Sequence, residues 1–172
     1  VIMQSNLDLD TINYFHARAL RYNKLFISSW RGSKLPAAFE CIPPGYLIIY
    51  LRISEITDLG CPDGMDNISE LVAFIKRFRA KLAVVMLEDY GSLVISDTDY
   101  LFVPLDQKQP LSDEFLYVFT ASLTVALAEK KSITEAVRFA TSAVCLFQNN
   151  KDIRWSVPYR VDVENVLKRN NN

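Results

Sequence analysis

The sequence predicts an α/β protein built on a largely parallel sheet, and three observations carry that expectation. Tyr46–Leu51 (YLIIYL) and Leu82–Leu87 (LAVVML) are apolar at successive positions, the pattern of inner strands buried on both faces. Such runs alternate along the chain with segments whose apolar residues recur every three or four positions, as in β-α-β connections. Late in the chain, the stretch Leu111 to Gln148 carries helical spacing twice over and predicts a packed helix pair.

Taken in order, Val1–Gln4 is a short apolar strand. Leu9 to Tyr22 follows as an amphipathic helix with Leu9, Ile12, Phe15 and Ala19 on its apolar face. Lys24–Ser28 is the next expected strand, with Ser28-Ser29 and Trp30-Arg31 read as loop residues to which no chemistry is assigned. Trp30 to Pro44 holds Gly32, Pro36, Pro43 and Pro44, a loop with room for one helical turn at residues 35–39. After YLIIYL, Ser54 to Leu59 reads as a short helix closed by Gly60. Asp66 or Asn67 caps a longer helix whose face is Ile68, Leu71, Val72, Ile75 and Phe78. LAVVML is followed by two strands, Ser92–Ser96 and Tyr100–Val103, joined as a hairpin through Asp97-Thr98-Asp99.

A polar loop at 105–112 leads to the helix pair. Its first helix buries Leu116, Phe119, Leu123 and Leu127, and its second Ile133, Val137, Ala140, Val144 and Phe147. Ser132 and Glu135 form a capping box at the start of the second helix, and Lys130 and Lys131 suit the C-terminal end of the first, where the macrodipole favours cations. A loop with Trp155 and Pro158, a short helix near Val161 to Leu167 and a frayed tail at 168–172 complete the chain.

With 172 residues, 50% of them hydrophobic, the chain has material for one domain with a real core, and 1–172 is expected to form a single α/β domain. A net charge of −1 gives no global attraction to nucleic acid or an anionic membrane, and the run Lys76-Arg77-Phe78-Arg79-Ala80-Lys81 reads as a solvated helix face. No apolar run approaches the roughly 20 residues of a membrane span, and the start lacks the pattern of a signal peptide. Cys41, Cys61 and Cys145 are odd in number and show no C-x-x-C spacing, which points away from a disulfide framework or zinc and toward the cytoplasm or another reducing compartment. His16, the one histidine, has no partner in sequence and is assigned a structural or surface role. Because residue 1 is Val and opens a buried strand, further chain is expected upstream.

Several motifs resemble the C-terminal half of the ribokinase (PfkB) family of carbohydrate kinases. Val1–Gln4 is similar to the strand entering that half, and Leu82–Ile95 to the segment around the family's Thr-Leu-Gly. Glu135-Ala136-Val137-Arg138-Phe139-Ala140 and Trp155-Ser156-Val157-Pro158-Tyr159-Arg160 carry the most specific matches. The resemblance implies a ribokinase-like three-layer α/β/α fold, of which this chain would supply the C-terminal half. It also implies an ATP and magnesium site, where a glycine-rich turn opening a helix cradles the γ-phosphate on bare N–H groups and an Asp just after it acts as base.

This sequence departs from that pattern where the chemistry would sit. Aligned without gaps, the base position falls on Tyr117 and the glycines on Leu116 and on Glu114 or Phe115, and no glycine follows Gly91. A phenol is a poor general base at neutral pH, and Asp113 is the alternative base if the alignment carries a gap. Ser112-Asp113-Glu114 brings two carboxylates to a helix start that would have to hold phosphate. Of the family's Asn-x-x-Glu, Glu55 is kept while Arg52 replaces the Asn; of the Thr-Leu-Gly loop only Gly91 remains, and Glu88 adds a negative charge. Glu55 and Gly91 are thus the candidate nucleotide-binding residues. The expectation is a catalytically inactive, ribokinase-like scaffold or regulatory module with no cofactor and no bound metal. The alternative is an ATP-dependent sugar kinase using magnesium. The partner expected is protein, either a missing N-terminal half or a second copy covering the sheet edge near Val1, with no nucleic acid and no membrane.

Overall fold

In the computed structural model, residues 2–4, 7–31, 45–52, 55, 68–87, 90–104, 114–149 and 158–170 are described. They form six strands and five helices: β1 (Ile2–Gln4), α1 (Leu9–Arg21), β2 (Ile27–Arg31), β3 (Tyr46–Leu51), α2 (Ile68–Lys76), β4 (Leu82–Leu87), β5 (Gly91–Ser96), β6 (Tyr100–Pro104), α3 (Glu114–Ala128), α4 (Ile133–Asn149) and α5 (Arg160–Asn170). The strands make one sheet in the order β1-β2-β3-β4-β5-β6. β1 to β4 are parallel, in a register that sets Ile2 beside Ile27, Ile27 beside Tyr46 and Tyr46 beside Leu82. The links from β4 to β5 and from β5 to β6 are only three residues each, too short for a parallel crossover, so those pairs run antiparallel.

The chain divides into two compact units: Val1–Glu88 with Ser92–Phe102, and Asp89–Gly91 with Val103–Asn172. In the first, α2 packs on one face of the sheet. Leu71, Val72, Ile75 and Phe78 close over Leu47, Ile49, Leu51, Ala83, Val85, Leu87, Leu93 and Ile95. The opposite pleat, Ile48, Tyr50, Val84 and Met86, is buried as well, which is why YLIIYL and LAVVML carry no polar alternation.

α1 begins at Asp8, whose carboxylate accepts the Thr11 N–H and the Thr11 hydroxyl, both at 2.8 Å. It ends in a Schellman turn: Asn23 takes φ 49°, the Asn23 N–H reaches the Leu20 carbonyl and the Lys24 N–H the Ala19 carbonyl. That turn corrects the expected second strand. Lys24 is consumed in closing α1, so β2 starts at Ile27, and Ser28, Ser29, Trp30 and Arg31 belong to the strand rather than to a loop. The apolar face of α1 is corrected too. His16 lies inward between Ile12 and Ala19, its ring edge-on to Phe26 at 4.9 Å, whereas Phe15 is 42% exposed. From Ile12, steps of four and three residues lead to 16 and 19, and an apolar side chain at 15 does not alter that geometry.

In the second unit α3 and α4 form an antiparallel hairpin with the most extensive helix–helix contact among the described residues. Leu116, Phe119 and Leu123 of α3 and Val137, Ala140 and Val144 of α4 are buried as their spacing predicts. The Ser132 hydroxyl donates to Glu135 at 2.6 Å, the Ser132 N–H donates to the same carboxylate at 2.9 Å, and the Glu135 N–H returns to Ser132 Oγ at 3.3 Å. This reciprocal box, led by the hydroxyl bond, holds the Glu135 carboxyl below its ordinary pKa. α5 runs to Asn170, so Lys168, Arg169 and Asn170 of the expected tail belong to the helix, and residues 171–172 lie outside the described residues. The expected helical turn at 35–39, most of the helix at 54–59, the caps at 66–67 and the loop with Trp155 lie outside the described residues.

Candidate functional site

At the head of α3 stand Glu114, Phe115, Leu116 and Tyr117. Phe115 and Leu116 are buried, and the Phe115 ring meets Phe147 of α4 edge-on at 5.7 Å, so this first turn is anchored by side chains packed into the helix pair. Tyr117 lies on the other side of the helix, 53% exposed, and its hydroxyl has no hydrogen-bond partner among the described residues. Asp113, the alternative base, lies outside the described residues.

Where β3 ends, Arg52 and Glu55 are brought together. The Arg52 N–H donates to Glu55 Oε2 at 2.7 Å and the Glu55 N–H donates to the Arg52 carbonyl at 3.0 Å. A carboxylate three residues on that accepts a backbone N–H is the return half of a capping box, which occupies one Glu55 oxygen locally. Gly91 opens β5 at φ 140°, in a buried position that a Cβ would crowd. Glu88 is outside the described residues.

Other sequence landmarks resolve into packing. His16 is 2% exposed, and burial holds its imidazole below the usual histidine pKa, which favours the neutral ring. Cys145 is a buried thiol. Arg160, the last residue of the Trp155–Arg160 match, opens α5 and bonds Glu164 at 2.8 Å and Glu129 at 2.6 Å, which fastens α5 to the end of α3. The Glu164 hydrogen bond comes first in raising the Arg160 pKa, and the same bond lowers that of Glu164. Among the described residues no cluster of His, Cys, Asp and Glu could hold a metal ion, and no helix is long and apolar enough to cross a membrane.

The strand order, the helix pair and the terminal helix define a ribokinase-like α/β fold, and comparison with solved structures shows it. Arabidopsis thaliana ribokinase, solved with ribose and ATP, superposes with a TM-score of 0.73 at 20% identity, covering 98% of this chain and 55% of its own. Thermotoga maritima ribokinase gives 0.66 at 22% identity, over 97% of this chain and 56% of its own. Escherichia coli phosphofructokinase-2 in complex with fructose-6-phosphate gives 0.69 at 17% identity, over 99% and 56%. The chain therefore spans a little over half the length of these enzymes. Comparison with protein families and with curated proteins finds no match.

Proposed function

We propose that this chain is a degenerate C-terminal half of the ribokinase (PfkB) family, a pseudokinase that serves as a scaffold or regulatory module. The observation that carries the proposal is the head of α3. The family's phosphate cradle requires glycines there, so that bare N–H groups can approach the anion and a carboxylate can follow as base. This chain puts Glu114, a buried Phe115 locked against Phe147, a buried Leu116 and an outward Tyr117 in that turn. A carboxylate at the helix start repels phosphate, and at 115 and 116 packed side chains stand where the family has bare backbone.

The second nucleotide position supports the same reading. Glu55 is turned back onto the Arg52 N–H, and a guanidinium replaces the amide that the family uses beside it. These residues do not fit a magnesium–ATP complex. A scaffold role needs a protein partner, and the edge of β1, which among the described residues pairs only with β2, is where this reading puts it.

The alternative is an ATP-dependent sugar kinase, favoured by the retention of Glu55 and of Gly91 with its glycine-specific φ. Titration of the chain with magnesium and ATP, followed by calorimetry and thermal shift and then by addition of ribose or fructose-6-phosphate, separates the two. We expect no heat and no shift up to millimolar nucleotide. Saturable binding in the micromolar range rules out the pseudokinase.

A further inference from the structure

A cleft of about 180 Å³ opens in the first unit at the opposite end of the sheet from Arg52 and Glu55. Its walls are the C-terminal end of α2 (Ile75, Lys76) with the turn that follows it (Arg79, Ala80), the start of β4 (Ala83) and the end of β5 with the following turn (Ile95, Ser96, Asp97). Leu51, which precedes Arg52, pairs with Leu87, whereas the cleft touches Ala83, four residues back along β4. At strand rise that is about 13 Å. The cleft is therefore a feature separate from the kinase-like positions.

Its chemistry is divided in two. The floor is apolar, from Ile75, Ala83 and Ile95. The rim carries two cations. Lys76 Nζ donates to the Asp97 carbonyl at 3.1 Å, which ties α2 to the hairpin turn and fixes that ammonium at the mouth. Arg79 sits at φ 50° one turn on, and its guanidinium has no hydrogen bond or ion pair among the described residues. Asp97 lines the same mouth, and among the described residues its carboxylate pairs with neither cation. A guanidinium with its donors unspent and a held ammonium, on two residues that line a cleft with an apolar floor, match an oxyanion head on a compact apolar body. A cleft of this size suits a small ligand body.

We propose that this cleft binds a small amphipathic oxyanion, a carboxylate on a short apolar or aromatic group, with Arg79 and Lys76 taking the head and Ile75, Ala83 and Ile95 the body. The run from Lys76 to Lys81, read from sequence as a solvated face, then contains the two groups that recognise the ligand.

Benzoate, acetate and inorganic phosphate serve as probes in methyl and arginine-side-chain NMR titrations of the intact chain at low salt. Benzoate is expected to shift the methyl signals of Ile75, Ala80, Ala83 and Ile95 together with the Arg79 side chain, saturably and in the millimolar range. Acetate is expected to bind more weakly at the same signals. Arg79→Gln, an exposed site that leaves the core untouched, is expected to weaken benzoate about fivefold or more. Ala80→Leu, which fills the cleft without removing a charge, is expected to abolish the methyl shifts. The proposal is overturned if benzoate leaves the methyls still, if phosphate and benzoate both act only on surface lysines and arginines, or if Arg79→Gln binds benzoate as the parent chain does.

Discussion

His16 is the residue whose sequence context said least and whose position says most. Buried edge-on to Phe26, it is held neutral by desolvation, so its pKa lies below the unfolded value near 6.5. The unfolded chain then binds the extra proton first. Stability from this site is complete above about pH 6.5 and is lost as pH falls from there through the folded pKa. Urea midpoints measured across that window should fall for the parent chain. They should fall less for His16→Phe, which keeps an edge-to-face ring and removes the titration. An unchanged slope in the variant would place the pH dependence elsewhere.

At the scale of the element, the helix ends of this glycine-poor chain are made with residues that bear a side chain. α3 closes in a Schellman turn, with the Lys131 N–H on the Ala126 carbonyl, the Lys130 N–H on the Leu127 carbonyl, and Lys130 itself at φ 62°. A lysine pays a steric cost there that glycine does not, so Lys130→Gly should raise stability by about 1 kcal/mol in chemical denaturation.

Elements were legible where one physical cause dominated. Both faces of β3 and β4 are buried, and their unbroken apolar runs announced it. The Ser132–Glu135 box and the three-to-four spacing of α3 and α4 were equally plain. β2 was misplaced because two serines inside it look like a turn, whereas strand pairing to Ile2 and Tyr46 decides its register. Of the candidate site, the absence of glycine at 114–117 is plain in the sequence; the outward direction of Tyr117 and the Arg52–Glu55 bond show only in the fold. The cleft beside Arg79 was invisible, since its walls come from three elements and a charge run alone describes only one of them.

For the whole molecule, likeness to ribokinases shows a shared fold, while a shared reaction would depend on the few residues of the site and not on the fold. Among the described residues the sheet also keeps an edge at β1, where Ile2 is exposed. If that edge is the scaffold's contact, the chain should show concentration-dependent mass in sedimentation. Ile2→Lys, a charge of the kind that guards natural edges, should shift it toward the monomer. A single mass at all concentrations in both would exclude self-association through β1.

The strand order has one more consequence. Among the described residues each strand of this sheet lies beside the one made immediately before it, so a new strand always finds one of its pairing neighbours already synthesised. The sheet needs no late strand inserted into its middle, and its assembly can follow the direction of synthesis, from β1 outward to β6, with pairing kept between near neighbours in the chain.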